Sequence, residues 1–74
     1  MISKGMNTMK VGESAAIQEV RGPSALALRL QELGFVPGTA VQLVAKAAFG
    51  GAMSYRVRGS IIALRRTDAA CVEV

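Results

Sequence analysis

Cysteine and carboxylate side chains are the groups in this sequence that could ligate a metal ion or transfer a proton. The chain has no histidine, and these groups are few: Cys71, Glu13, Glu19, Glu32, Asp68 and Glu73. The residue type most used both as a metal ligand and as a general base is therefore absent. Cys71 near Asp68 and Glu73 is a small grouping, whereas transition-metal sites use several clustered ligands. We predict a semi-exposed strand cysteine, and no catalytic residue, cofactor or metal ligand.

Arginine side chains in the second half of the sequence could instead bind an acidic partner. The net charge is +4, and four arginines lie close together in the sequence: Arg56, Arg58, Arg65 and Arg66. Small barrels that bind nucleic acid combine a basic groove with aromatic stacking platforms. Tyr55 is the one aromatic residue among these arginines, and its alternation points it inward, so nucleic acid is not expected. A solvated charged face and contact with an acidic protein surface remain as interpretations.

Protein interfaces are anchored by aromatic and arginine side chains that have apolar neighbours. Phe49 lies in a glycine-rich loop, Ile61 occupies an outward strand position, and Leu28 lies off the apolar stripe of a helix. Phe49 could instead fold over the end of a barrel as a cap. The predicted partner-binding residues are Phe49, Ile61, Arg56, Arg58 and Leu28.

The length and composition predict one small globular domain. The chain has 74 residues, of which 51% are hydrophobic, so it should fold around a small core. A single cysteine excludes an internal disulfide and favours a reducing compartment. No signal peptide or membrane-spanning stretch is recognisable, so we expect a cytoplasmic protein without membrane insertion. Residues 1–8 are expected to be disordered and residues 9–74 to form the domain.

An amphipathic helix is predicted at about residues 23–33. Pro23 suits the first helical position, because proline has no amide hydrogen to lose there. The apolar face of the helix is formed by Leu26, Leu30 and Leu33. Gly34 follows the last leucine, where a left-handed residue commonly ends a helix. Phe35 would then pack back against Leu30.

Short strands with close turns surround this helix. Pro37 and Gly38 suit the central positions of a type II turn. Gly50-Gly51 marks a loop, and Gly59 allows a bend or bulge. Alternating apolar residues predict five strands, at about 14–20, 39–46, 53–58, 60–66 and 72–74. The expected fold class is mainly β, a small five-stranded barrel with one inserted helix.

An ordered set of motifs resembles the FeoA family, the ferrous iron transport protein A family. The first motif is R-L-x-x-L-G-F-x-P-G-T at residues 29–39, followed by a Gly-Gly loop. V-R-G-x-x-I-A-L-R at residues 57–65 and A-x-x-V-x-V at residues 69–74 complete it. Two positions depart from the family pattern. Gly51-Ala52 replace an acidic residue and a proline, and Ile61 stands where a polar residue is usual.

The resemblance implies an SH3-like barrel and an accessory or regulatory role in ferrous iron uptake. The implied partner is the cytosolic part of FeoB, a membrane iron transporter with a GTP-binding domain. The chain itself has no P-loop. Arg21, in the loop before the helix, could be presented to a transferring phosphate, although a solvated side chain is the simpler interpretation. The residues expected to shape the fold are Leu30, Leu33, Gly34, Phe35, Pro37, Gly38 and Gly59.

Other functions remain open at this point. The same barrel occurs as the C-terminal domain of metal-dependent repressors, so a metal-responsive regulatory domain with another client is an alternative. A peptide-binding or self-associating module, including a homo-oligomer, is a further one. Transition-metal binding also stays open, although the sequence suggests assistance to iron transport without iron held by the chain.

Overall fold

Short strands and two helices follow one another along the part of the chain that the computed structural model describes, residues 4–74. A 3-10 turn, Met6–Thr8, precedes them. The elements are β1 (Ser14–Ala16), β2 (Glu19–Val20), α1 (Ser24–Glu32), β3 (Ala40–Lys46), β4 (Met53–Val57), β5 (Ser60–Leu64), α2 (Arg66–Ala69) and β6 (Val72–Glu73). The mainly β fold with an inserted helix is confirmed. Within these residues, no helix has the length and apolar character that crossing a membrane requires.

The first predicted strand divides between two sheets. β1 pairs antiparallel with β3 in a four-stranded sheet of order β1-β3-β4-β5, whereas β2 pairs with β6. Ile17 lies at the crossing, donates its amide to the Thr39 carbonyl at 2.9 Å, and is 1% exposed. The chain therefore carries six strands over residues 4–74, where five were predicted. Because of this division, β1 and β2 pair with different sheets, and the continuous stretch that contains them closes the barrel.

α1 begins after Pro23 and ends in a Schellman motif. The amide of Phe35 donates to the Leu30 carbonyl, and the amide of Gly34 donates to the Gln31 carbonyl, both at 3.0 Å. Gly34 has φ +112°, a conformation that side chains disfavour. The next turn is closed by the amide of Thr39, which donates to the Val36 carbonyl at 3.1 Å across Pro37 and Gly38.

The apolar face of α1 is narrower than the leucine spacing indicates. Leu30 is 1% exposed and Leu26 is partly buried against the core, but Leu33 is 40% exposed. The expectation that Leu33 belongs to the packed face is therefore wrong. Leu33 is the C-cap residue, where the chain already turns away from the helix axis. A nine-residue helix on so small a barrel buries little more than one turn of its face.

Residues 4–9 are part of the folded barrel, which corrects the predicted disorder over residues 4–8. Lys4 and Val74 exchange backbone hydrogen bonds of 3.2 and 2.8 Å. Met6 and Met9 are both completely buried. A core with few aromatic residues needs large flexible side chains to fill irregular gaps, and methionine supplies them. Residues 1–3 of that prediction lie outside the described residues.

Tyr55 lies at the centre of the core. Its ring meets Phe35 edge to face, with centroids 6.4 Å apart and an interplanar angle of 89°. Its hydroxyl donates to the Met6 carbonyl at 2.6 Å, which satisfies the polar end of a fully buried side chain. The other core residues are Met6, Met9, Ile17, Leu30, Val41, Leu43, Met53, Val57, Leu64, Ala69 and Val72.

Burial raises the pKa of Tyr55 from 10.0 to about 12. The unfolded chain therefore loses its phenolic proton at lower pH than the folded chain does. The stability that this group contributes is complete below pH 10 and is lost as the pH rises towards 12. Between these values the loss is about 1.4 kcal/mol per pH unit.

We predict that Tyr55→Phe costs about 1 kcal/mol at neutral pH, because one buried hydrogen bond is lost. Its free energy of unfolding should then fall less than that of the wild type between about pH 9 and about pH 11.5. Urea unfolding at neutral pH measures the first effect. Urea unfolding at about pH 9 and at about pH 11.5 measures the second. All other groups are the same in the two proteins, so equal alkaline losses would contradict the assignment to Tyr55.

Candidate protein-docking surface

The groups that could do metal or acid–base chemistry are not assembled into a site. Within residues 4–74, no three Cys, His, Asp or Glu side chains are placed to hold one metal ion. Cys71 is half-buried, and its thiol donates to the Thr67 carbonyl at 3.6 Å. Arg21 forms ion pairs with Glu19, at 3.0 Å, and with Glu73. The charge of Arg21 is therefore paired with carboxylates of β2 and β6.

The pairing of acidic side chains is concentrated around β1, β2 and β6. Besides the two carboxylates paired with Arg21, Glu13 forms an ion pair with Lys4 at 2.9 Å. The amide of Lys10 donates to the Glu13 carboxylate, and this bond, together with Lys4, lowers the pKa of Glu13. Much of the acidic charge of the chain is thus neutralised on this side of the barrel.

The stretch of chain that runs through β3, β4 and β5 is basic. Residues 33–67 contain five basic residues and no acidic one. Over the described part of the chain, the four arginines of this stretch form no ion pair. These are Arg56, Arg58, Arg65 and Arg66. Their charge is thus available to an acidic partner.

Strand register places Arg56 beside Ile61 on the outer face of the sheet. Directly opposite residues share a face, and a row of such pairs crosses all four strands. The row runs through Ser14, Gln42, Arg56 and Ile61. Ile61 is 53% exposed. An apolar side chain in contact range of an arginine is a frequent arrangement at interfaces.

A shallow groove lies between β3 and the end of the β4–β5 hairpin. We call it the basic groove, and it is lined by Ser14, Ala40, Val41, Gln42, Arg56, Arg58 and Gly59. Arg58 and Gly59 have φ of +50° and +80°, as a two-residue type I′ turn requires. A Cβ built on Gly34 would lie 3.5 Å from Arg58 Cδ, so the aliphatic stem of Arg58 covers the end of α1.

Phe49 lies far from the basic groove. It occupies the β3–β4 loop, at the end of β4 opposite to Arg58. β4 has five residues, so about 15 Å separates the two ends at the usual strand rise. Phe49 is fully exposed, with φ +58°, so it does not cap the barrel. Leu28 is 60% exposed on α1.

The structure therefore divides the predicted partner-binding residues. It brings together Arg56, Arg58 and Ile61, and it leaves Phe49 and Leu28 on separate surfaces. Sequence reasoning missed Ser14 and Gln42 in the groove, because their place depends on the register of β1 and β3. It also missed Val11, which is 59% exposed before β1. The sequence signal that could have identified Val11 as exposed is its position between Lys10 and Gly12, in a turn.

The fold and this surface define a small SH3-like barrel with a basic groove. The FeoA domain family model matches residues 4–74. The chain therefore belongs to the FeoA family, a family of small accessory-type domains.

Relatives of known sequence and structure agree with this assignment. A Porphyromonas gingivalis (strain ATCC BAA-308 / W83) fusion of Fe(2+) transport protein A with Fe(2+) transporter FeoB is 33% identical over 69 residues. That match covers 93% of this chain but 8% of the fusion protein. FeoA from Stenotrophomonas maltophilia, solved with zinc and described as a prokaryotic SH3 domain protein, is 32% identical. Its TM-score is 0.82, over 97% of this chain and 87% of the other.

The barrel also occurs in a larger regulatory protein. A manganese-dependent transcriptional repressor superposes with a TM-score of 0.87 at 12% identity. The match covers 97% of this chain and 40% of the repressor. At that identity the likeness concerns the fold.

We predict that Phe49→Gly does not lower the stability of the barrel. The phenyl ring is fully exposed, so its removal forfeits little packing, and glycine accepts the positive φ that costs other residues about 1 kcal/mol. Phe49→Ala is the matched control, because it removes the same ring and keeps the strained φ. Urea unfolding should rank Phe49→Gly at or above Phe49→Ala. A loss of more than about 1 kcal/mol in both variants would indicate that the ring packs on the barrel.

Proposed function

We propose that this chain is a non-enzymatic accessory protein of ferrous iron uptake that binds the cytosolic part of a FeoB-type, GTP-binding iron transporter. The observation that carries the proposal is the relative in which an FeoA segment and FeoB form one polypeptide. Fusion raises the local concentration of two modules and favours pairs that act together. This chain matches a small part of that fusion, so the binding of this chain to a transporter is our proposal. Its site of action is then the cytoplasm.

The basic groove and Ile61 are the surface proposed for this contact. Arg56 and Arg58 form no ion pair with a carboxylate of residues 4–74. Their charge would therefore attract an acidic patch on the transporter. Ile61 adds apolar area next to Arg56. Phe49 and Leu28 are proposed as contacts of secondary surfaces, since they lie apart from the groove.

An alternative client is favoured by one observation, the repressor that contains the same barrel. In that case the chain would be a regulatory or peptide-binding domain for another protein, such as a metal-responsive one. It would then bind its client without affinity for the transporter. The two proposals therefore differ in the identity of the partner rather than in the kind of activity.

The test is a titration of the purified chain with the cytosolic domain of its own organism's ferrous transporter, and with the full-length transporter in detergent. Arg58→Glu should weaken binding about tenfold, equivalent to about 1.4 kcal/mol. Lys46→Glu is the matched control, because it makes the same charge change at an exposed position that pairs with Met53, at the end of β4 opposite to Arg58. It should bind like the wild type.

Salt dependence provides an independent readout of the same contact. Raising the salt from about 50 to about 500 mM should weaken the wild type more than Arg58→Glu, because screening acts on the charge pair that the variant lacks. Equal weakening by Arg58→Glu and Lys46→Glu would remove the groove from the contact. Absence of saturable binding to both transporter samples would overturn the transporter partner and favour the alternative client.

A further inference from the structure

β5 is an edge strand whose outer side has no backbone partner within residues 4–74. It is the last strand in the sheet order and pairs with β4 alone. No other backbone hydrogen bond in this part of the chain involves residues 60–64. The sheet thus ends in a row of free donors and acceptors.

The hairpin geometry identifies which groups are free. Val57 and Ser60 flank a two-residue turn, so they form a hydrogen-bonded pair, and such pairs recur at every second position. Ser60, Ile62 and Leu64 therefore direct their backbone groups towards β4. Ile61 and Ala63 direct their amides and carbonyls away from it, to the open edge. Both residues are also exposed.

This edge lacks the devices by which soluble proteins protect a free strand. Edge strands are usually short, charged, interrupted by proline or twisted by a bulge. β5 has the sequence Ser-Ile-Ile-Ala-Leu, with no charge and no proline. The register shift of the sheet lies between β3 and β4, at Leu43 and Ala45, and not at β5. The strand is thus uncharged, regularly paired with β4 and open to addition of another strand.

Positive charges flank both ends of this open edge. Arg58 is the first residue of the turn that leads from β4 into β5, and Arg65 and Arg66 follow the strand. None of the three forms an ion pair within residues 4–74. A strand laid along β5 would carry its own ends beside these charges. Acidic residues at its ends and uncharged residues at its centre would complement them.

We propose that the β5 edge binds an extended acidic segment of a partner protein as an additional strand of the sheet. The backbone groups of Ile61 and Ala63 supply the hydrogen bonds, and Arg58, Arg65 and Arg66 select for acidic ends. The inference does not depend on the identity of the partner. It therefore stands or falls separately from the transporter assignment.

A second copy of this chain is the competing occupant, and charge disfavours it. An antiparallel pair of β5 strands centred on Ile62 would place Arg58 opposite Arg66 of the other copy. Like charges placed directly opposite across a sheet are destabilising. The apolar centre of the strand suits either occupant, whereas its basic ends suit the acidic one.

The test uses the full chain and a synthetic peptide, EEVTVTVEE, acetylated and amidated at its ends. Its sequence-matched control is KKVTVTVKK, which has the same centre and opposite end charges. Amide NMR shifts should change and amide exchange should slow at Ile61 and Ala63. The acidic peptide should bind at least about tenfold more tightly than the basic one. Changes confined to the Phe49 loop or to the basic groove would overturn the proposal.

Backbone variants distinguish strand addition from contact through side chains alone. Ala63→Pro removes an amide hydrogen that points to the open edge, where proline is tolerated, and so spares the bonds to β4. It should lower peptide affinity at least about tenfold, while Ala63→Val, which retains the amide, binds like the wild type. Equal affinity of both folded variants would overturn strand addition.

A peptide series keeps the test decisive if Ala63→Pro fails to fold. N-methylation of the valine amides and N-methylation of the threonine amides block opposite edges of the added strand. One of the two series should abolish binding and the other preserve it. Equal affinity in the two series would contradict strand addition. A concentration-dependent dimer with slowed exchange at Ile61 and Ala63 in the absence of peptide would instead assign the edge to a second copy.

Discussion

The burial of Tyr55, whose hydroxyl donates to the Met6 carbonyl, is the constraint around which this small barrel is arranged. A tyrosine buried in the centre of so few residues must satisfy its hydroxyl, or its burial costs free energy. The acceptor comes from the N-terminal segment, 49 positions away along the chain. With that segment in place, Lys4 pairs with Val74, and the two ends of the described chain meet.

Closure of the barrel follows from the same constraint. The last strand, β6, pairs with β2 on one side, and Gly5 bridges to Glu73 on the other. The chain reaches β2 by leaving the first sheet at Ile17, so the two sheets share one continuous stretch. Met6 and Met9 then fill the space that a core with two aromatic residues, Phe35 and Tyr55, leaves open.

Charge is segregated over this framework. Carboxylates near β1, β2 and β6 are paired with Lys4 and Arg21, whereas the arginines of β4, of the turn after it and of the stretch after β5 have no such partners within residues 4–74. The basic groove and the open edge of β5 are both bordered by these arginines. A partner with an acidic surface or an acidic extended segment is thus the chemistry for which this half of the barrel is suited.

The sequence by itself determined the local features and the family. α1, the left-handed Gly34, the turn at Pro37 and Gly38, and the inward alternation around Tyr55 all follow from residue preferences within a few positions. The ordered motifs were enough to indicate the FeoA family, because spacing is read directly from the chain. The exposed positions of Leu28 and Ile61 follow from helical and strand periodicity in the same way.

Only the tertiary structure decided the features that depend on contacts between distant residues. The burial of Met6 and the division of the first strand at Ile17 require the whole core, and no local preference encodes them. The exposure of Leu33 depends on how far a short helix overlaps the barrel. The grouping of Arg56 with Ile61 and the groove beside Gln42 depend on strand register, which is set by all the paired strands together. β5 is likewise identified as an edge strand only from the sheet, because a strand is an edge when no other strand pairs with its outer side.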